Sequence, residues 1–364
     1  MRTALGLLFV AAGLALGHED ACPASEGAAC KAKEALRRVL ESKFAVDSKR
    51  DELARQSAEG EEMPLFAASR VSLTQANASA TLFEALSTTG FAVVTDHGVP
   101  QELIQDVLAQ ARAFHGLPES ELELLKGNIK QRGYLKLTPN VRLMLIGPPD
   151  SEDVNGVNFW PNETMAPRFR NTMVDYYRQM ARLERDLLIL ISRAMGCKED
   201  SELYGKMGKH RGLLSLNRSI KRVMTGQCVA SAHSDVGIMT ILLAPEEGLQ
   251  VLPLQSSRWA RYPPSSTDFV VNVGNSLEYW TGGKLVSTLH RVCPAMDNRI
   301  SIPYFGGNAL AHSDDKLIEK ASCSAVQQSS GSLNVAFEPI SHRDFISEFW
   351  RLYYEKHGPS ASKQ

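Results

Sequence analysis

The stretch AHSDVGIMTILL, residues 232–243, places a histidine and an aspartate two positions apart at the head of an apolar run. Along a β-strand, residues two apart share a face, so His233 and Asp235 point one way and Ser234 the other. A metal ion can sit between two such side chains. The pattern alone decides nothing, because H-x-D occurs four times: His18/Asp20, His233/Asp235, His312/Asp314 and His342/Asp344. The sequence that follows separates the second pair from the rest.

His290, in STLHRV, lies on another predicted strand and meets His233 and Asp235 if the sheet curls on itself, as a jelly roll does. Two imidazoles and one carboxylate leave three adjacent positions open on an octahedral iron, enough for a cosubstrate and dioxygen. Farther on, RISIPYF alternates Arg299, Ser301 and Pro303 against Ile300 and Ile302. A buried arginine needs an anion. The planar fork of Arg299 suits a carboxylate, and the Ser301 hydroxyl adds a hydrogen bond to the same group. The rival pairs lack this company: His18/Asp20 borders the N-terminal apolar segment, His312/Asp314 sits in the loop-like NALAHSDDK, and His342/Asp344 opens a C-terminal helix. Surface or capping roles are expected for those three.

The chain around these motifs has 364 residues, 43% of them hydrophobic, which supports a substantial buried core. Forty basic against forty-one acidic residues give a net charge of −1, so no global field selects nucleic acid or an anionic membrane. A small-molecule substrate and a monomeric enzyme are expected. MRTALGLLFVAAGLALGHED combines Arg2, an apolar core and small residues before polar sequence, which reads as a signal peptide over residues 1–17. Its apolar core, about thirteen residues, is short of the roughly twenty that span a bilayer. The secretory pathway, or an organelle reached through it, is the expected location. Cys22 and Cys30 are close enough to pair there, whereas Cys197, Cys228, Cys293 and Cys323 read as ordinary core residues. Asn77, Asn162 and Asn217 head glycosylation sequons, of which Asn217 is expected to stay bare on its strand.

Residues 18–62 read as a charged, exposed helical extension and residues 63–200 as a mixed α/β region, irregular between 120 and 165. Residues 201–355 break into short β-like runs: GLLSLNRSI, MTILL, GLQVL, DFVVNVG, LVSTLHRV and RISIPYF. The expected fold is mainly β with flanking helices, a distorted double-stranded β-helix or jelly roll.

From MPLFAASRVSL through GFAVVTDHGVPQELIQDVLAQARAFHGLP, NFWP, AHSDVGIMTILL and RISIPYF, the chain resembles the iron(II) and 2-oxoglutarate-dependent dioxygenases of the isopenicillin N synthase-like group. The resemblance implies that His233, Asp235 and His290 bind Fe(II), and that Arg299 and Ser301 hold the distal carboxylate of 2-oxoglutarate. It implies oxidative decarboxylation with dioxygen as cosubstrate, coupled to oxidation of a small organic molecule, hydroxylation by default. One position departs from the group. Where many members carry N-x-Y, this chain has Asn217 and then Ser219, too short for the tyrosine's reach, with water or Arg218 the candidates to replace that contact.

Trp160, Tyr304 and Phe305 are candidate substrate-pocket residues, with packing roles as the alternative. His97, Asn275 and Trp280 read as turn and packing residues. Two rival functions stay open at this stage: an iron oxidase independent of 2-oxoglutarate, resembling isopenicillin N synthase, and a catalytically silent binding protein.

Overall fold

A computed structural model describes residues 28–56, 62–127, 132–149, 157–206, 212–224, 227–307, 317–318, 321–327 and 338–357. The expected signal segment, Cys22, and the His18/Asp20 and His312/Asp314 pairs lie outside these residues. The first half supplies α1 (Ala28–Gln56), β1 (Arg70–Ser72), α2 (Ala78–Thr88), β2 (Phe91–Thr95), α3 (Gln101–His115), α4 (Glu119–Leu124), β3 (Gly133–Thr138), β4 (Val141–Ile146), α5 (Phe169–Ala194) and α6 (Glu202–Lys206). The second supplies β5 (Leu213–Ser219), β6 (Ala230–His233), β7 (Met239–Ala244), β8 (Leu249–Val251), β9 (Ala260–Arg261), β10 (Ser265–Val273), α7 (Asn275–Trp280), β11 (His290–Val292), β12 (Arg299–Phe305), β13 (Leu317–Ile318), α8 (Ser324–Gln327), β14 (Ile340–Ser341) and α9 (His342–His357).

Eight strands form one sheet in the order β1-β2-β10-β7-β12-β5-β4-β3, and β6-β11-β8-β9 form a second. The order is far from sequential, as jelly-roll connections require. Strand β12 runs antiparallel between β7 and β5, and β10 antiparallel between β2 and β7. Helices α2, α3 and α5 cover one face of the large sheet, so its central strands are buried on both faces and read as near-continuous apolar runs. The other face looks into the barrel, where Phe91, Val93, Val251 and Val270 form a separate apolar cluster. The architecture is mainly β with flanking helices, the jelly roll expected from the strand pattern.

Four expectations require correction. The span from 120 to 165, read as irregular, contains the β3–β4 hairpin, which joins the large sheet through β5. Its apolar alternation is masked by Lys136 and Arg142, which face each other across the hairpin. Residue 200 is no structural boundary, because β1–β4 pair into the same sheet as the later strands. Helix α1, read as exposed, docks by an apolar stripe of Ala32, Leu36, Val39, Leu40 and Phe44 at helical spacing, hidden among charged residues. It also makes polar contacts: Lys43 Nζ lies 3.0 Å from Glu278 Oε2 of α7, and Arg50 donates to the carbonyls of Leu252 and Pro253. Finally, the four later cysteines are paired, Cys197–Cys323 and Cys228–Cys293, and Cys30 is also disulfide-bonded. Separations of 126 and 65 residues concealed the two pairings. No helix among the described residues is long and apolar enough to cross a membrane.

Candidate active site

His233 ends β6, His290 opens β11, and the two are direct partners in the antiparallel register. Cross-strand partners share a face, so the imidazoles lie side by side with ring centroids 4.3 Å apart. Asp235, two residues beyond the strand end, brings Oδ1 to 3.8 Å from His233 Nε2 and 3.5 Å from His290 Nε2. One donor atom from each residue lies within 4.8 Å of the others. All three side chains are buried.

The surrounding groups aim these atoms inward. His233 Nδ1 donates to the Ser231 carbonyl at 2.7 Å and His290 Nδ1 to the Thr288 carbonyl at 3.2 Å, which leaves both Nε2 lone pairs facing the aspartate. Asp235 Oδ2 accepts from Thr240 Oγ1 at 2.5 Å and Asn272 Nδ2 at 2.8 Å, leaving Oδ1 toward the histidines. The turn is held from below by α7, where Asn275 Nδ2 donates to the Asp235 carbonyl at 2.5 Å and to Ser234 Oγ at 3.1 Å. Burial, reinforced by His290, pushes His233 down to about 4, so it is neutral at neutral pH. Burial opposes charge on Asp235, yet the neighbouring His290 holds it below the usual carboxylate range. Burial likewise opposes charge on His290, and Asp235 overrides it and raises that pKa. An ionised carboxylate that draws positive charge toward itself, beside a neutral imidazole with an inward lone pair, fits a divalent cation of the 2-His-1-carboxylate type.

Arg299 and Ser301 alternate onto the barrel-facing side of β12. Arg299 Nη1 donates to Ser301 Oγ at 2.9 Å and Nε to the Glu247 carbonyl at 2.7 Å. Burial lowers its pKa to about 10, so the guanidinium stays charged at neutral pH. Among the described residues no carboxylate lies at ion-pair distance from it, which suits it to an incoming anion. The guanidinium passes over Gly248, where a Cβ would stand 2.8 Å from Arg299 Nε, so the approach requires glycine. Ser219 and Asn217 face Arg299 and Ser301 directly across the β5–β12 ladder. Arg218 cannot replace the missing tyrosine contact: it alternates to the other face and donates to Asn298 Oδ1 and the His115 carbonyl.

A cavity open to solvent meets His233 and Asp235. Its walls include Phe305 at the end of β12 and Phe349, Trp350 and Tyr353 of α9. Tyr304 and Trp160, expected at the pocket, are not on its walls. Tyr304 turns to the helical side, with its ring 5.4 Å from Tyr177, and Trp160 packs on Phe169 with Arg170 over its face. The period of two in RISIPYF carries this distinction, since Phe305 shares the face of Arg299 and Tyr304 that of Ile300. The α9 aromatics carry no local signal of a site. His97 is structural, its Nδ1 accepting from Val99 N and its Nε2 donating to the Thr267 carbonyl. Asp344 of the His342/Asp344 pair belongs to a cap, accepting from Ser341 Oγ at 2.8 Å while its own N–H donates back at 3.0 Å.

Comparison with known proteins agrees with this geometry. The 2OG-Fe(II) oxygenase superfamily matches residues 204–308, and the N-terminal region described as "non-haem dioxygenase in morphine synthesis" matches residues 63–163. Proline hydroxylase buaE of Petromyces alliaceus is 30% identical over 261 residues, 62% of this chain and 79% of that protein. Isopenicillin N synthase of Streptomyces clavuligerus is 26% identical over 302 residues, 74% of this chain and 87% of that one. A full-length Neurospora crassa protein, solved in complex with alpha-KG, shares the fold with a TM-score of 0.66 at 20% identity, covering 81% of this chain and all of that one.

Proposed function

The chain belongs to the 2OG-Fe(II) oxygenase superfamily, and we propose that His233, Asp235 and His290 hold its iron while Arg299 and Ser301 hold the distal carboxylate of its 2-oxoglutarate. The protein is an Fe(II)- and 2-oxoglutarate-dependent dioxygenase acting on a small organic molecule. When bound, iron and 2-oxoglutarate with dioxygen supply the oxidising power, released as the 2-oxo acid decarboxylates to succinate. The observation that carries the site assignment is the cross-strand registry of His233 with His290 and the shared approach of both Nε2 atoms to Asp235 Oδ1.

The residues divide the work. Thr240 and Asn272 fix Asp235, Ser231 and Thr288 fix the imidazole tautomers, and Arg299 with Ser301 orients the cosubstrate from the far side of the barrel. The aromatic wall of α9 and Phe305 excludes water from the reacting carbon. Ser219 leaves the cosubstrate one contact short of the usual set, worth about 1.5 to 3 kcal/mol for a hydrogen bond to a charged group. The anchor at Arg299 would serve a substrate carboxylate in the oxidase reading equally well; the likeness to 2-oxoglutarate-dependent dioxygenases is what favours 2-oxoglutarate over the oxidase and silent-binder alternatives.

The test is metal content and succinate formation. His233→Ala/His290→Ala should lose iron with the fold intact, and Arg299→Lys, which keeps charge but loses the bidentate fork, should weaken apparent 2-oxoglutarate affinity by about tenfold or more. Undiminished iron in the double variant, or oxygen consumption without succinate, overturns the assignment.

The paired cysteines and the exposed sequon residues Asn77 and Asn162 support a secretory location, and Asn217 on β5 suits its expected bareness. Mass spectrometry of the native protein tests this: a terminus near His18 with glycan on Asn77 or Asn162 supports it, and an intact Met1 with no glycan overturns it. The same reading has the enzyme act as a monomer, which light scattering at micromolar concentration checks.

A further inference from the structure

The cavity beside His233 and Asp235 says what the substrate must be like, given the proposed function on which this inference rests. We propose that the substrate enters as an uncharged molecule with a flat or extended apolar surface, seated against Phe349, Trp350 and Tyr353 of α9.

The wall is aromatic and held in place. Trp350 stands edge-on to Phe349, centroids 5.3 Å apart, and to Tyr353, 5.5 Å apart, while Phe349 and Tyr353 lie nearly parallel at 6.3 Å. Behind the wall, α1 braces the helix: Phe44 packs on Phe349 at 5.1 Å, Arg37 Nε lies 2.8 Å from Glu348 Oε1, and Lys33 Nζ lies 2.9 Å from Asp344 Oδ1. A surface fixed before binding loses little conformational entropy when a ring settles on it. Val236, Met239 and Phe305 make the rest of the lining apolar.

Two of the polar side chains on the wall are already committed. Ser234 Oγ accepts from Asn275 and Thr240 Oγ1 donates to Asp235. Of the titratable residues on the described walls, Tyr353 stays neutral because burial raises its phenol above the usual value, and His233 and Asp235 both face the metal position. Asp235 has no oxygen to spare for a substrate cation, since Oδ2 is taken by Thr240 and Asn272 and Oδ1 faces the histidines. Among the described lining residues a substrate carboxylate finds no lysine or arginine, because Arg299 is turned to Ser301 and the Glu247 carbonyl, off the cavity. A charge of either sign would therefore be desolvated without compensation. A neutral molecule with a few hydrogen-bonding atoms suffers no such penalty.

The test uses one ring in three charge states: 2-naphthamide, 2-naphthoate and 2-naphthylmethylammonium. Each is titrated calorimetrically into the full chain loaded with manganese(II) and 2-oxoglutarate at pH 7.5. The amide should bind at least tenfold tighter than either ion, Trp350→Ala should weaken it tenfold or more, and Trp350→Phe should restore most of the loss. A carboxylate or ammonium that binds as tightly as the amide overturns the proposal, as does an amide that does not bind measurably. The wild-type series decides the matter even if an alanine variant fails to fold. Iron binding and succinate formation are measured on the same protein batch, loaded with iron(II) in place of manganese. Their absence overturns the parent reading, whereas succinate formation stimulated only by charged compounds overturns the substrate class alone.

Discussion

Phe44 of α1 meets Phe349 of α9 edge to face, with ring centroids 5.1 Å apart and ring planes at 75°. Helix α1 lies outside both matched regions, 63–163 and 204–308, yet it braces one wall of the catalytic cavity. Lys43, one residue away, reaches Glu278 of α7 and the Ser287 carbonyl just before β11. One helix therefore supports both the aromatic wall and the segment leading to His290.

Phe44→Ala should destabilise the protein by about 3 kcal/mol, the usual cost of deleting a buried ring, and should raise the substrate KM more than it lowers kcat. Calorimetric unfolding and steady-state kinetics check the two parts. A normal KM at reduced stability would confine Phe44 to packing.

Asn272→Ala should weaken iron binding about 10- to 100-fold while leaving the circular dichroism spectrum unchanged, because it frees Asp235 Oδ2 without removing a ligand. Thr240→Val should act in the same direction. Competition against a metal chelator measures both.

The Cys197–Cys323 and Cys228–Cys293 disulfides should separate stability from metal binding. Cys228→Ser/Cys293→Ser opens a 65-residue loop and Cys197→Ser/Cys323→Ser a 126-residue loop, each worth about 4 to 5 kcal/mol in the chain-entropy account. Only the first pair sits on the strands of His233 and His290, with Cys228 leading into β6 and Cys293 directly following β11. Iron occupancy should fall in that variant and persist in the other. Unfolding curves with metal analysis test the contrast.

His115 should make the fold acid-sensitive. Burial lowers its pKa from 6.5 to about 4, and its Nε2 donates to the Leu216 carbonyl. The unfolded chain therefore binds the proton more tightly than the folded one. Stability from this group is fully present above pH 6.5 and is lost as pH falls toward 4, by up to about 3 kcal/mol. Urea titrations between pH 4 and 7 should show that slope, and His115→Gln should flatten it.

The residues proposed to hold the metal and the anion were singled out in the sequence because their signal is local. A period of two puts His233 with Asp235, and Arg299 with Ser301, on single faces, and the order of these motifs along the chain resembles a known family. The same period in RISIPYF distinguishes Phe305 from Tyr304. Asn275 read as a turn residue and Asn272 was not singled out, because nothing local reveals that both donate to Asp235.

By itself, then, the sequence determined which side chains can share a face of a strand, and with it the candidate iron-binding residues and the jelly-roll pattern expected here. Only the tertiary structure decided what meets those faces. His233 and His290 become neighbours through the pairing of β6 with β11, Cys228 meets Cys293 across 65 residues, and Phe44 reaches Phe349 across most of the chain. The physical reason is that side-chain direction along a strand or helix follows from backbone geometry within a few residues, whereas strand order and helix docking are settled by burying apolar surface contributed by the whole chain.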